Sequence, residues 1–456
     1  MATFFFCGIG GIGMSAIALY LKKSGHVVQG SDRSFDMQKN ETMRQTLLSE
    51  GIELFKQDGS GVGEWTDVLV VSSAVEDHIL DVKKALELNI VIKKRAEVLA
   101  EIFQSFSKRI AIAGTSGKTT VTAMTGHILY HLNQNPVMIN GGISMNKYND
   151  EPLSNLIYNK TDTCVVEADE SDGSIKFYNP FISVVTNISL DHKPLEEIKP
   201  LFEDFLSRAE KGCVINKDCL ETKNIQVPQN AVSFSVEKDK TATLYASDVC
   251  QSAEGLSFKL NGRPYHLPFI GRHNLANALT ALGVVYLLGL DMDKAVQALA
   301  SFKGTKRRLE KIGVQNGVVV IDDYAHNEEK IKASLLALKP LAKRLFVVYQ
   351  PHGFAPLRLM KEGLIDMLKN VLDDQTFWLM LPVYYVGGTV SKTISSEDVV
   401  TPLGQAGKQT QLFTLRDDVI SYLKKTVHSG DIVVVMGARD DTLSLFAKDI
   451  VTSLGE

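Results

Sequence analysis

Residues Arg109–Thr122 read RIAIAGTSGKTTVT, and this run restricts the fold more than any other in the chain. β-favouring residues from Ile110 to Ala113 enter a loop bounded by Gly114 and Gly117, and Lys118-Thr119-Thr120 open a helix. A strand feeding a glycine loop and then a helix belongs to an α/β layer, with the loop at the C-terminal edge of a mainly parallel sheet. Backbone N–H groups of the loop and the helix N-terminus converge on phosphate oxygens. Lys118 reaches the β- and γ-phosphates and the Thr119 hydroxyl a magnesium ion, so ATP with Mg2+, or Mn2+ in its place, is expected. Gly114, Thr115, Ser116, Gly117, Lys118, Thr119 and Thr120 are the candidate ATP-binding residues. The loop is a shortened form, because Ile112 stands where the eight-residue pattern has its first glycine.

A chain of 456 residues exceeds one ordinary core. Strand and helix patterns alternate throughout, which predicts an α/β protein of three domains: an N-terminal Rossmann-like domain (1–106), a central P-loop ATPase-type domain with a mainly parallel sheet (107–304) and a C-terminal Rossmann-like domain (305–456). Strand-like runs are FFFCG, HVVQGSD and DVLVVSSAV in the first, PVMING, TCVVEADES, FISVVTNIS and GCVIN in the second, and VVVIDDYAH, RLFVVYQP, TFWLMLPVY and DIVVVMGA in the third. Between Thr241 and Phe269 short alternating strands around Asn261-Gly262 predict an antiparallel edge, and Arg272 to Leu288 an apolar helix.

A net charge of −4 gives no broad basic field, so nucleic acid is not an expected partner. The five cysteines lack zinc or disulfide spacing and read as buried free thiols in a reducing compartment. Met1 to Leu21 carries no charge, yet four glycines interrupt it and no basic segment precedes it. A strand, a glycine turn and a buried helix fit it better than a leader or a membrane anchor, and a cytoplasmic protein is expected.

That turn is Gly8-x-Gly10-x-x-Gly13, with Asp32 at the end of the next strand. The spacing suits a nucleotide diphosphate on a helix N-terminus and an acid on a ribose hydroxyl, without saying which nucleotide. VVEADESDGS (165–174) ends a hydrophobic strand in carboxylates, and Glu167 or Asp169 is a candidate magnesium ligand. His192 follows VVTNIS at the same kind of edge, as do Asp323 and His326 after VVVI. Lys306-Arg307-Arg308 at the predicted domain junction can clamp a transferring phosphoryl group.

Together the segments GIGGIGMSAIA, VVSSAV, VIKKRAEVLAEI, GTSGKTT, EADESDGS, TNISLDH, RHNLANAL, FKGTKRRLE, IDDYAH, YQPH and VVVMGA resemble the Mur ligase family, in order and spacing, over almost the whole chain. The resemblance implies an ADP-forming acid–amino-acid ligase of peptidoglycan precursor synthesis. A UDP-sugar then takes the place of NAD, with Gly10, Gly11 and Gly13 at the diphosphate and Asp32, Ser72 and Ser73 near the uridine. ATP is implied in a cleft between the central and C-terminal domains, with Asn274 near adenine. Lys118, Glu167, His192 and Arg308 are the implied catalytic residues. Thr119, Glu167 and His192 are the implied metal ligands, and Asp323 and His326 join the ATP set. KKRAEVLAE places the chain nearest the members acting on UDP-N-acetylmuramate, with L-alanine as the implied amine and a monomer or homodimer as the implied assembly.

Four departures bear on the amine. Ser116 replaces a histidine, Lys193-Pro194 follow His192 directly, Asn327-Glu328 replace a His-Pro pair, and GFAPLR follows YQPH. A sister ligase adding another amino acid or a recycled murein peptide therefore stays open, as does a nucleotide-sugar sensor without catalysis.

Overall fold

Three sheets organise the chain in this computed structural model, which describes residues 1–72, 78–149, 151–170, 173–189, 194–385 and 392–455. The N-terminal sheet contains β1 (Thr3–Cys7), β2 (Val27–Ser31), β3 (Glu53–Phe55), β4 (Val68–Val71) and β5 (Val91–Lys94). Its order is β3-β2-β1-β4-β5 and all its pairs are parallel. The strand order reverses beside β1, so the turn after β1 lies at the crevice where such sheets take ligands. The uncharged N-terminus is β1 followed by helix α1 (Ile12–Lys23): Phe5, Phe6, Cys7, Ala16, Ile17 and Leu19 are fully buried. Among the described residues no helix is long and apolar enough to cross a membrane. Helix α2 (Arg95–Gln104) follows β5.

The second sheet holds β6 (Lys108–Ala113), β7 (Val137–Ile139), β8 (Leu156–Ile157), β9 (Thr163–Glu167), β10 (Ile182–Val185), β11 (Gly212–Asn216) and β12 (Ala231–Val236). β13 (Leu244–Ser252), β14 (Gly255–Leu260) and β15 (Arg263–Leu267) extend its edge, the last two joined at Asn261 and Gly262, both with positive φ. Strand β6 sits between β10 and β9, parallel to both, and Ile112 lies level with Glu167. Helix α3 (Lys118–His131) follows the loop, and helix α4 (Arg272–Leu288) forms where the apolar run predicts it.

By packing, the chain forms two compact units. The first comprises Met1–Val249, Phe258–Leu267 and Ala276–Thr305, and the second comprises Cys250–Ser257, Pro268–Leu275 and Lys306–Glu456. Within the first unit, the first two sheets share one apolar core running from Phe6 and Ile17 to Ala111, Val166 and Phe202. Asn155 Nδ2 donates to the Ile12 carbonyl at 2.8 Å and Tyr158 Oη to that of Lys23 at 3.0 Å, which fixes α1 against the second sheet. In the second unit, β16 (Glu310–Gln315), β17 (Val318–Asp323), β18 (Leu345–Tyr349), β19 (Thr376–Met380), β20 (Thr410–Leu412) and β21 (Ile432–Met436) make a sheet of order β16-β17-β21-β18-β19-β20. Among the described residues only β16 runs antiparallel within it. Cys7, Cys164 and Cys213 are buried free thiols as expected, but Cys250 is exposed, because its strand is solvated on that face.

Candidate active site

The phosphate loop is shaped by residues that follow β10. Gly114 has φ 125°, and a Cβ placed on it would lie 2.1 Å from Thr186 Oγ1; Gly117 has φ 90°, and its Cβ would lie 2.5 Å from Asn277 Oδ1. Both positions therefore require glycine. Asn187 Oδ1 accepts the Ser116 N–H at 3.0 Å, Asn187 Nδ2 donates to the Ser116 carbonyl at 2.9 Å, and Thr186 Oγ1 donates to the same carbonyl at 2.6 Å. The Thr115 N–H donates to the Asn187 carbonyl at 3.0 Å. The loop is thus held open by the neighbouring strand's end before any ligand arrives.

Lys118 Nζ donates to the Gly114 carbonyl and to Glu170 Oε2, each at 2.8 Å, with Asp169 Oδ1 at 3.9 Å. Burial pulls the ammonium's pKa down, but the Glu170 and Asp169 charges outweigh it and Lys118 sits above its ordinary value. Burial raises the Glu170 carboxyl against the opposing pull of Lys118. Glu167, at the end of β9, accepts the Gly141 N–H at 2.9 Å, and Asn140 Nδ2 donates to the Thr119 carbonyl at 3.2 Å. Thr120 is buried in the first turn of α3.

Glu167 also lines a cavity of about 290 Å³ within the first unit, whose wall includes Gly11, Gly13, Arg95, Asn140, Gly141 and Asp169. The glycine turn and the carboxylate strand therefore face one space. Arg95 opens α2 beside the turn, its Cδ 3.5 Å from where a Gly13 Cβ would stand. Asp32 is not among the residues that line this cavity. Its carboxylate accepts the N–H groups of Gly10 at 2.9 Å and Ser34 at 2.8 Å and the Ser34 hydroxyl at 2.6 Å, so it closes the turn and caps a short helix. Ser72 follows β4 at the same sheet edge; Ser73 and His192 lie outside the described residues.

In the second unit, Arg308 stacks on Tyr324, 4.9 Å from the ring centroid, between two residues of left-handed backbone, Arg307 (φ 58°) and Leu309 (φ 49°). That costly segment is held by Glu310, which accepts the Arg307 N–H at 2.8 Å, and by Asp323, which accepts the Leu309 N–H at 3.3 Å. Asp323 also accepts the Ser334 hydroxyl, and its pKa is raised by burial. Each of its oxygens thus accepts a hydrogen bond from within the fold. His326 Nδ1 lies 2.8 Å from the Tyr324 carbonyl, and its ring meets that of His352 edge-on at 4.8 Å. Asn274 Nδ2 donates to the Ile270 carbonyl at 2.9 Å.

Sequence reasoning named the loop residues, Glu167 and the glycine turn, but assigned the turn and the loop to different ligands. It gave no role to Glu170, Arg95, Asn140 or Asn277. Asn277 had a signal: it stands one helical turn after Asn274 in RHNLANAL.

Two phosphate-type turns on adjoining sheets of the first unit, with a further α/β sheet in the second, define a nucleotide-binding α/β protein. Three family profiles match the chain: Mur ligase family, catalytic domain (3–107), Mur ligase middle domain (112–285), and Mur ligase, glutamate ligase domain (307–439). The curated UDP-N-acetylmuramate–L-alanine ligase of Caldicellulosiruptor saccharolyticus is 34% identical, with 96% of each chain covered. That of Agrobacterium fabrum is 34% identical, covering 96% of this chain and 94% of its own. The chain belongs to the Mur ligase family. Its fold resembles the crystal structure of UDP-N-acetylmuramate–alanine ligase MurC from Thermotoga maritima, with a TM-score of 0.80, 24% identity and 99% of both chains covered. It also resembles that of a murein peptide ligase from Psychrobacter arcticus, with a TM-score of 0.69 and 22% identity over 100% of this chain and 99% of that one.

Proposed function

We infer that the protein is an ADP-forming ligase that joins L-alanine to the carboxylate of UDP-N-acetylmuramate in peptidoglycan precursor synthesis. The observation that carries this reading is the cavity joining Gly11, Gly13 and Arg95 to Glu167. A nucleotide sugar held at the glycine turn projects its acid group toward the strand that flanks the phosphate loop. In this reading the muramyl carboxylate oxygen attacks the γ-phosphorus of ATP and ADP leaves. The alanine amine then attacks the acyl carbon, the C–N bond forms and phosphate departs. Two anions must meet in the first step, which is the work of Lys118 and the loop amides.

Glu167 and the Thr119 hydroxyl supply hard oxygen donors of the type a magnesium ion shares with phosphates and water, and the Glu167 carboxylate borders the cavity. Bound there, the ion supplies charge neutralisation at the phosphates. His192 is proposed as a further ligand. Gly10, Gly11, Gly13, Ser72 and Ser73 are assigned to the UDP-sugar, with Arg95 added to them. The loop from Gly114 to Thr120, with Asn274 and His326, is assigned to ATP, and Arg308 to the transferring phosphoryl group. Domain divisions at 106/107 and 304/305 and a cytoplasmic location are part of the same proposal.

A different amine is the second reading. Asn327 caps the helix Glu328–Leu338 by accepting the Lys330 N–H at 3.1 Å, so the side chain standing in place of the family histidine is committed to the fold. Phosphate release from ATP with Mg2+ and UDP-N-acetylmuramate, compared across L-alanine, other amino acids and a murein peptide, separates the two readings. Dependence on L-alanine alone supports the first, and dependence on another amine the second.

A further inference from the structure

We propose that Glu170 is a positioning residue for phosphoryl transfer, aiming Lys118 by occupying one of the three donor directions of its ammonium. This rests on the ATP reading of the loop. Lysine presents three N–H donors and no acceptor. Among the described residues, one is fixed on the Gly114 carbonyl at 2.8 Å and one on Glu170 Oε2 at 2.8 Å, which leaves the third for a phosphate oxygen. The loop backbone and the segment after β9 thereby set where that third donor points.

Neighbouring carboxylates do not share the task. Asp169 Oδ1 stands 3.9 Å from Nζ, beyond hydrogen-bond reach, and its side chain is 36% exposed against 8% for Glu170. Glu167 is engaged with the Gly141 amide and borders the cavity. One short segment therefore divides its acids, with Glu167 toward the cavity and Glu170 toward the lysine. A buried ion pair contributes little net stability after desolvation, so its placement on the loop lysine argues for geometry rather than for holding the fold. A misaimed donor at a reacting phosphate costs up to roughly a hundredfold in rate.

The test is steady-state phosphate release by the full-length protein with ATP, Mg2+, UDP-N-acetylmuramate and L-alanine, with thermal melting as a fold control. E170A is expected to lower kcat by roughly thirtyfold while KM for ATP moves by less than about threefold. E170Q, which keeps an oxygen acceptor at the same reach, is expected to recover most of that loss, and E170D, which is too short, to resemble E170A. In a K118A background, E170A is expected to cost nothing further, since Glu170 acts through the lysine. Wild-type kcat in E170A, an equal loss in both backgrounds, or a higher kcat/KM for ATP in E170A overturns the proposal. The last result would make Glu170 an occluding group. Should E170A not fold, E170D against E170Q decides by the same criteria. An active wild type with an indifferent E170A defeats only this proposal, whereas a wild type that turns over no ATP removes the ligase reading and the proposal with it.

Discussion

Asp32 accepts the backbone N–H of Gly10 at 2.9 Å, across the 22 residues that separate β1's turn from the end of β2. The carboxylate that spacing assigns to a ribose is therefore what closes the glycine turn.

Removing it separates the two roles. D32A leaves the buried Gly10 amide unpaired and removes a helix cap, which together cost about 2–3 kcal/mol. KM for the UDP-sugar is expected to rise at least about tenfold while kcat for bound substrate stays within about threefold. Melting temperature and the separate constants check this; a raised KM at unchanged melting temperature would assign the carboxylate to the ribose instead.

G114A is expected to lose roughly a hundredfold or more in turnover, because its Cβ would overlap Thr186 Oγ1 and its φ of 125° disfavours any other residue. ATP titration by calorimetry is the direct check, with UDP-sugar affinity predicted to be unchanged.

Chelation of divalent metal should abolish turnover, and E167A should raise the Mg2+ concentration giving half-maximal rate by about tenfold or more. An unchanged Mg2+ requirement in E167A would remove Glu167 from the metal site.

Two histidines, His127 fully buried and His273 half-buried, give the fold a pH dependence. Burial lowers His127 to about 4, and it is satisfied as a neutral ring, with Nδ1 3.1 Å from Tyr148 Oη and Nε2 2.9 Å from the Ala298 carbonyl. Burial likewise lowers His273 to about 4. The unfolded chain takes up these protons near pH 6.5 and the folded one only near 4, so stability is lost as pH falls between those values and is constant above them in this respect. About 1 kcal/mol should be gone at His127 by pH 5.5, and less at half-buried His273. Urea unfolding at pH 7.5 and 5.5 measures it, and H127Q should show a shallower dependence than the wild type.

What the sequence conveyed follows from what is local in the chain. The loop from Gly114 to Thr119 was legible because strand, turn and helix are contiguous and each residue type has one physical use there. The chemistry of Glu170 was not, since a carboxylate in EADESD can face water, metal or lysine, and only the path after β9 decides. Asp32 was found but its bond to the Gly10 amide was not foreseen, because spacing places an acid at the turn without saying which backbone groups it also holds. Strand β16 went unseen: its alternation is weak, with Lys311 and Val314 exposed, although Asn316 and Gly317, both with positive φ, mark a hairpin. The left-handed Arg307 and Leu309 carry no sequence signal, as neither residue favours that backbone.

The central claim is tested most directly by mass analysis of the product formed from UDP-N-acetylmuramate, L-alanine and ATP with Mg2+, run beside K118A. The account predicts a UDP-sugar heavier by one alanyl residue, formed together with ADP and phosphate, and a rate roughly a hundredfold or more lower in K118A. An unaltered UDP-sugar with L-alanine and with every other amine offered would contradict it.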